Sequence, residues 1–391
     1  MIKKLLLVLT LMLGSSLYAA QHMSKSTYNS LTNAQKLMQE NKFTKAKAIL
    51  DELLKQDKNA YEKSYILQTL SNIYITDNKY EKVAKIYEEI IKLGAFEPKS
   101  IDNIKFSLAK IYLSIEKFEK SLKLSKSLVN SKFIKKEDIY ENLTLGYYYN
   151  KKYKKAIEYS NIYMSSKKQN IKESWYKILY SSYIETKNYN GALSTMEKMV
   201  KLFNTNEQYW VQLASLYQQK NRLKKSLSTL ELAYKNNVLT KKDNILYFIN
   251  ILLQNDVYNK AGVLLTKAVN ENLIKEDKKI FEILVTCFIN AKETNLAIKK
   301  LESSKFANEN KYKMILANLY YNKEQYKKSI NIVDSIKTKR NSKVDGERQI
   351  LKALCYYELD NKKQSIRTLE RVVNNPYHKK RARNILKELR S

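Results

Sequence analysis

Residues 209–234, YWVQLASLYQQKNRLKKSLSTLELAY, decide the fold. Trp210, Leu213, Ala214 and Tyr217 stand at i, i+3, i+4 and i+7, one face of an α-helix. After the basic turn QQKNR, Leu223, Leu227, Leu230 and Tyr234 form a second apolar ladder. Two helices joined this closely pack antiparallel. A small residue where they cross allows close approach, and a ring fills the space beside it. One such pair leaves apolar faces uncovered, so another pair must stack on it.

The pattern recurs along the chain. Aligning on the small residue of each second ladder gives Ala46, Val83, Ser121, Ala156, Ala192, Ser226, Ala261, Ala297, Ser329 and Ser365, with spacings from about 32 to about 38 residues. Nine residues earlier stands a large side chain: Tyr74, Tyr112, Tyr147, Tyr183, Tyr217, Leu252, Phe288, Tyr320 or Tyr356. Three residues before the small one an aromatic often falls, as at Phe43, Tyr80, Phe118, Tyr153, Tyr189, Tyr258 and Tyr326. With only 6 Gly and 2 Pro among 391 residues, helices joined by short turns are the expected architecture.

These residues resemble the tetratricopeptide repeat (TPR) family over about residues 27 to 376. The family motif W-x2-L-G-x2-Y is met by Trp210, Leu213, Ala214 in place of Gly, and Tyr217. The resemblance implies an all-α fold, a right-handed superhelical solenoid of about ten TPR-like hairpins. It would span residues 21–376, with residues 377–391 as a basic capping helix over the last apolar face. Two features depart from the consensus. Pro98 and Pro376 alone are available as helix-ending prolines, and several crossing positions carry Ser instead of Ala, so individual repeats are expected to be irregular.

The first twenty residues address the compartment. MIKK is a basic start, LLLVLTLML is an apolar run short for a bilayer, and GSSLYAA is rich in small residues. That order reads as a cleavable signal peptide over residues 1–20, cut near Ala19 or Ala20, with an uncleaved anchor as the alternative. No cysteine follows the run to take a lipid. A mature protein in the periplasm of a Gram-negative cell is expected, able to touch a membrane surface without spanning it. The formal net charge of +33 favours anionic partners, but export argues against nucleic acid. Lys, Asn, Ile and Tyr all have A+T-rich codons, so genome composition offers a competing origin for the scattered lysines.

Catalytic chemistry has little to work with. His22 and His378 lie at opposite ends of the chain, which leaves no Ser-His-Asp, Cys-His or histidine metal constellation. No Gly-rich phosphate loop occurs, and the Ser165–Lys168 match to Ser-x-x-Lys sits in a Lys-rich linker. Cys287 and Cys355 occupy the same register two repeats apart, on the order of 20 Å in a stack, too far for a disulfide. They are expected as buried free thiols. No enzyme, cofactor or metal is expected.

In the TPR family the first helix of each pair lines a partner groove. Transferring that register places Tyr65, Gln68, Asn72, Tyr148, Tyr149, Lys177, Ser181, Val211, Ser215, Gln218, Asn250, Met314, Asn318, Tyr321 and Tyr357 on the binding surface. Asn reaches an extended peptide backbone, and Tyr supplies contact area with one hydroxyl at low entropic cost. The carboxylate clamp of chaperone-type TPR domains is not expected, because Asn72, Asn250 and Asn318 are paired with Gln68, Leu246 and Met314 rather than with cations.

Residues 205–275 also resemble the TPR proteins that accompany TonB energy-transduction systems, through Tyr209-Trp210 to Leu213, Leu232-Ala233-Tyr234, Leu239-Thr240-Lys241, and Leu253 to Lys260-Ala261. That resemblance implies a non-catalytic scaffold docking envelope proteins such as TonB, ExbB and ExbD during uptake of iron complexes. An adaptor for outer-membrane assembly or surface-polymer export is the alternative.

Overall fold

The computed structural model describes residues 23–167 and 171–390. The expected signal segment, His22 and Lys168 lie outside the described residues. Among the described residues the chain is entirely helical, with no strand, and falls into two compact units, residues 1–204 and 205–391.

Unit 1 contains five hairpins. They are α1 (Lys25–Gln39) with α2 (Phe43–Lys55), α3 (Ala60–Thr76) with α4 (Tyr80–Leu93), and α5 (Pro98–Ser114) with α6 (Phe118–Ser127). Then come α7 (Lys136–Tyr149) with α8 (Tyr153–Ser166), and α9 (Glu173–Glu185) with α10 (Tyr189–Leu202). Unit 2 contains five more, beginning with α11 (Glu207–Gln219) and α12 (Leu223–Lys235), then α13 (Lys242–Gln254) and α14 (Tyr258–Asn270). There follow α15 (Lys278–Asn290) with α16 (Thr294–Ser303), a 3-10 turn at Lys305–Asn308, α17 (Asn310–Asn322) with α18 (Tyr326–Asp334), and α19 (Lys343–Glu358) with α20 (Lys362–Glu370). A last helix, α21 (Lys379–Arg390), packs on α20.

Every turn inside a hairpin is three residues long, so length variation falls between hairpins. The turns share one geometry. Their middle residue adopts the left-handed conformation, with φ between 55° and 61°, at Asn41, Asn78, Glu116, Lys151, Lys187, Asn221, Asp256, Lys292, Glu324 and Asp360. The amide of the next residue then reaches back five residues in a Schellman-type closure, as in Lys79 N to Tyr74 O (2.8 Å) and Gln325 N to Tyr320 O (2.9 Å). The acceptor is the large residue nine before the crossing. That side chain therefore stands in the last turn of the first helix, next to the connection. The aromatic three before the crossing is the first residue of the second helix in seven hairpins.

All ten crossing residues, from Ala46 to Ser365, are fully buried at 0% exposure. Their volume is matched across the hairpin. Ser121, Ser226, Ser329 and Ser365 each face an alanine twelve residues earlier: Ala109, Ala214, Ala317 and Ala353. Ala156, Ala192, Ala261 and Ala297 face Thr144, Tyr180, Ile249 and Val285 instead. Eight of the ten crossings thus hold one bulk increment, on either helix, while Ala46 stands opposite Ala34 with none and Val83 opposite Ser71 with two. The serines do not make the hairpins irregular, contrary to the sequence-based expectation. Ser121, Ser329 and Ser365 donate their hydroxyls to the carbonyls of Ala109, Ala317 and Ala353 at 2.7, 2.8 and 2.8 Å.

Successive hairpins are clasped through the tyrosines. Tyr112 donates to Glu88 of the preceding second helix, and Lys120 donates to the same carboxylate at 2.9 Å. The Lys120 ammonium also lies 5.2 Å from the Tyr112 ring centre. Glu302, Tyr320 and Lys328 repeat this arrangement in unit 2, where Tyr320 donates to Glu302 and Lys328 stands 5.2 Å over its ring. Lysines just before the crossing cover the ring in the same way at Lys82–Tyr74 (5.2 Å) and Lys225–Tyr217 (5.6 Å). Part of the Lys and Tyr excess thus has a packing role.

Buried carboxylates tie a hairpin to its neighbour's entry. Glu207, on α11, accepts from the amides of Thr240 and Lys241 (both 3.0 Å) and from Asn244 Nδ2 (2.8 Å), where α13 begins. Glu62 does likewise for α1, accepting from Ser24 N (3.0 Å) and Ser24 Oγ (2.7 Å). Burial opposes charge on Glu207, but the hydrogen bonds from Asn244, Lys241 and Thr240 together outweigh it and hold the carboxyl below the ordinary range.

Pro98 is the first residue of α5, so it opens a helix rather than ending one. Pro376 lies between α20 and α21. In α12 the buried face is Ser226, Thr229, Leu230 and Ala233, with Leu223, Leu227 and Tyr234 only half-buried at its margins. Cys287 and Cys355 are buried and unbridged, and burial pushes the Cys287 thiol up to about 11. Ala382, Leu386 and Leu389 of α21 pack against Ile350, Ala353, Leu369 and Val372, covering the apolar face of the last hairpin.

Candidate protein-docking surface

Relative to the crossing residue, the positions 15, 11 and 8 earlier form an i, i+4, i+7 stripe on each first helix. Most of the transferred groove residues fall on this stripe. Tyr65, Gln68 and Asn72 lie half-buried on α3, Tyr148 and Tyr149 at the end of α7, and Lys177 and Ser181 on α9. Val211, Ser215 and Gln218 are on α11, Asn250 on α13, Met314, Asn318 and Tyr321 on α17, and Tyr357 on α19. Ser215, Asn250, Asn318 and Tyr357 are exposed.

Several of these side chains link one first helix to the next. Tyr148 Oη donates to Ser181 Oγ at 3.2 Å. Gln218 accepts from Tyr247 Oη at 3.0 Å and donates to Gln254 at 2.8 Å. Tyr321 Oη donates to Glu358 at 3.3 Å. Others turn inward: Asn318 donates to the Met314 carbonyl of its own helix (2.7 Å), and Lys177 is paired with Glu173 (2.8 Å). Tyr65 belongs to an edge-on cluster with Tyr61 and Phe96, each ring centre 4.9 Å from its own. Burial and the hydrogen bond from Tyr61 push its phenol well above the usual range.

Sequence reasoning missed Tyr61, Phe96, Tyr247, Gln254 and Glu358. Tyr247, Gln254 and Glu358 each directly follow a stripe position, Tyr61 stands one turn before Tyr65, and Phe96 lies in the α4–α5 loop; their contacts become visible only when adjacent helices are placed side by side. The stripe is also chemically unlike the rest of the chain. Of its thirty positions only Lys110, Glu141, Lys177 and Glu282 are charged, in a chain where 28% of residues are. Glu282 is bound by Tyr312, and burial together with Asp138 raises the Glu141 carboxyl. Leu31, Phe106, Leu113 and Ile350 are buried in the core, and what remains accessible is carboxamides, hydroxyls, phenols and aliphatics. Such a surface recognises backbone amides and apolar side chains rather than charge.

Elsewhere, α16, the 3-10 turn, α17 and α18 enclose an open cavity of about 430 Å³. Its polar wall is the Glu302–Tyr320–Lys328 clasp, and burial with Glu302 raises the Tyr320 phenol to about 12. Among the described residues no cluster of His, Cys, Asp or Glu has the arrangement of a metal site, and no helix is long and apolar enough to cross a membrane.

No protein-family model matches the chain, and no curated protein sequence does. Solved structures do match. The chain is similar to a tetratricopeptide repeat protein from Parabacteroides merdae, with a TM-score of 0.38 and 14% identity, covering 68% of this chain and 100% of that one. It is similar to a chain of Naa15/Naa10 bound to HypK-THB, with a TM-score of 0.46, 11% identity and coverage of 93% and 60%. YrrB, a TPR protein with an unusual peptide-binding site, gives a TM-score of 0.34 and 13% identity over 49% of this chain and 97% of its own. The assignment as a stack of TPR-like hairpins rests on this chain's own turns and crossings.

Proposed function

We propose that the chain is a non-catalytic protein-interaction scaffold whose first-helix stripe seats an extended, largely uncharged peptide segment. The observation that carries this reading is the low share of charge along the stripe, 4 of 30 positions, in a chain of which 28% is charged. In unit 2, Asn250, Asn318 and Ser215 are the exposed hydrogen-bonding groups, with Tyr321 and Tyr357 as contact area.

The first twenty residues support a periplasmic setting, and the pattern within residues 205–275 supports an accessory of a TonB–ExbB–ExbD complex in iron-complex uptake. Tyr209, Trp210, Leu213, Ala233 and Ala261 are buried, and Thr240 and Lys241 are the backbone that Glu207 holds, so these residues serve packing.

A photo-crosslinking residue at Ser215, Asn250 or Asn318 tests the reading in intact cells, with Ser228 and Lys299 on second helices as controls. Adducts confined to the first-helix positions and containing an energy-transduction component are expected. Outer-membrane assembly or polymer-export proteins in those adducts would select the alternative adaptor role. Equal adducts from the control positions would remove the stripe as the docking face.

A further inference from the structure

Five of the eight arginines in the chain fall within residues 367–390, where an even spread would place fewer than one. An A+T-driven drift accounts for lysine throughout the sequence, but it does not explain arginine gathered in one place. Arg367, Arg371, Arg381, Arg383 and Arg390 are all exposed, as are Lys362, Lys363, Lys379, Lys380 and Lys387. Against these ten cations the stretch 362–390 holds two carboxylates, Glu370 and Glu388. Arg390 pairs with Glu370 at 2.6 Å.

We propose that the outer faces of α20 and α21, with Tyr377 between them, dock on an anionic phospholipid surface. Guanidinium groups bind phosphate through paired N–H donors and shed water more readily than ammonium groups. Tyr377, 65% exposed, is the most exposed large apolar side chain among the described residues, and it lies in the segment joining the two basic helices. An amphipathic ring beside cations suits the headgroup layer. The apolar face of α21 is already packed on Leu369 and Val372, so the helix does not insert. Contact is peripheral, electrostatic and weakened by salt. A nucleic-acid strand would call for a basic groove with several stacking rings. Here the charge is spread over two helix faces with a single ring.

The test is flotation of the full chain with phosphatidylcholine vesicles, with and without phosphatidylglycerol. Reading the phosphatidylglycerol-dependent increment removes any contribution of the N-terminal apolar run. Arg381→Gln/Arg383→Gln/Lys387→Gln is compared with Lys201→Gln/Lys224→Gln/Lys242→Gln, which removes the same charge at exposed positions elsewhere. Each basic residue near such a surface contributes about 1 kcal/mol, so the first triple should weaken the increment on the order of 100-fold, and the second by less than about threefold. Unchanged thermal melting shows that both variants fold. Equal losses in the two triples, no dependence on phosphatidylglycerol, or tighter binding to single-stranded DNA or polyglutamate than to the vesicles would each overturn the proposal. Peptide docking on the first-helix stripe should respond to neither triple, so the two readings fail separately.

Discussion

Ser121 Oγ donates a hydrogen bond to the carbonyl oxygen of Ala109, 2.7 Å away on the facing helix, in a crossing with no solvent exposure. Asn142 Nδ2 of the following hairpin donates in turn to Ser121 Oγ (3.0 Å) and Ser125 Oγ (2.8 Å). A hydroxyl at the tightest point of the hairpin is thus satisfied by a neighbouring backbone. The same holds for Ser329 and Ser365, but Ser226 Oγ makes no bond to the facing Ala214 carbonyl and has only the Tyr247 phenol near it.

That contrast gives opposite expectations at equivalent positions. Ser365→Ala loses a buried hydrogen bond and should cost about 1 kcal/mol. Ser226→Ala removes a buried hydroxyl that lacks a bond to the facing backbone and should be neutral or stabilising by up to about 1 kcal/mol. Urea unfolding of the two variants decides it, and equal losses would contradict the assigned partners.

The left-handed turn residues carry backbone strain wherever the side chain is neither Gly nor Asn nor Asp. Lys292, at φ 59°, is such a position. Lys292→Gly should gain roughly 0.5 kcal/mol after the added freedom of the unfolded chain is subtracted, and Lys292→Val should lose more than about 1 kcal/mol. Thermal melting that ranked Val above Gly would be incompatible with this turn.

Glu207 makes part of the stability depend on pH. Its carboxyl is held below the ordinary range in the folded chain, so its contribution is complete above the unfolded carboxylate pKa near ~4.3 and fades as pH falls through the lower folded value. Glu207→Gln should cost about 1–3 kcal/mol at neutral pH, because the amides of Thr240 and Lys241 then face a weaker acceptor. The gap between wild type and variant should stay flat from pH 7 to about 5 and narrow below ~4.3. A gap that widened on acidification would reverse the sign of the linkage.

Ala214 and Lys224 separate crossing from surface within the opening stretch. Ala214 is fully buried against Ser226, so Ala214→Leu should overfill the contact and cost roughly 1–3 kcal/mol. Lys224 is exposed on the first turn of α12, and Lys224→Ala should stay within about 0.5 kcal/mol. Similar shifts in melting temperature for both would place the register wrongly.

Much of the fold was legible because repetition averages out local ambiguity. The ladder from Trp210 to Tyr217 fixed one register, and nine further small residues at similar spacing fixed the others. Less legible was anything set by neighbours in space. The reversal of Pro98 from helix end to helix start depended on where α4 stopped. The buried face of α12 shifted toward Ala233 because Leu232, equally apolar, points outward. For the docking stripe, sequence register placed Gln218 and Tyr321 correctly on first helices but gave no sign of Tyr247 or Glu358 beside them. Those partners lie 29 and 37 residues away.

The matched volumes at the crossings bear on how such a chain can be recombined. A first helix carrying Ile249 is compatible with Ala261, but joined to a second helix carrying Ser329 it would bring two bulk increments into one contact, as only the Val83–Ser71 crossing does here. Exchange of single helices between repeats is therefore penalised, whereas whole hairpins, cut in the variable connections between them, remain interchangeable modules. The two positions twelve residues apart should covary across related sequences, a coupling written by sterics and independent of any partner.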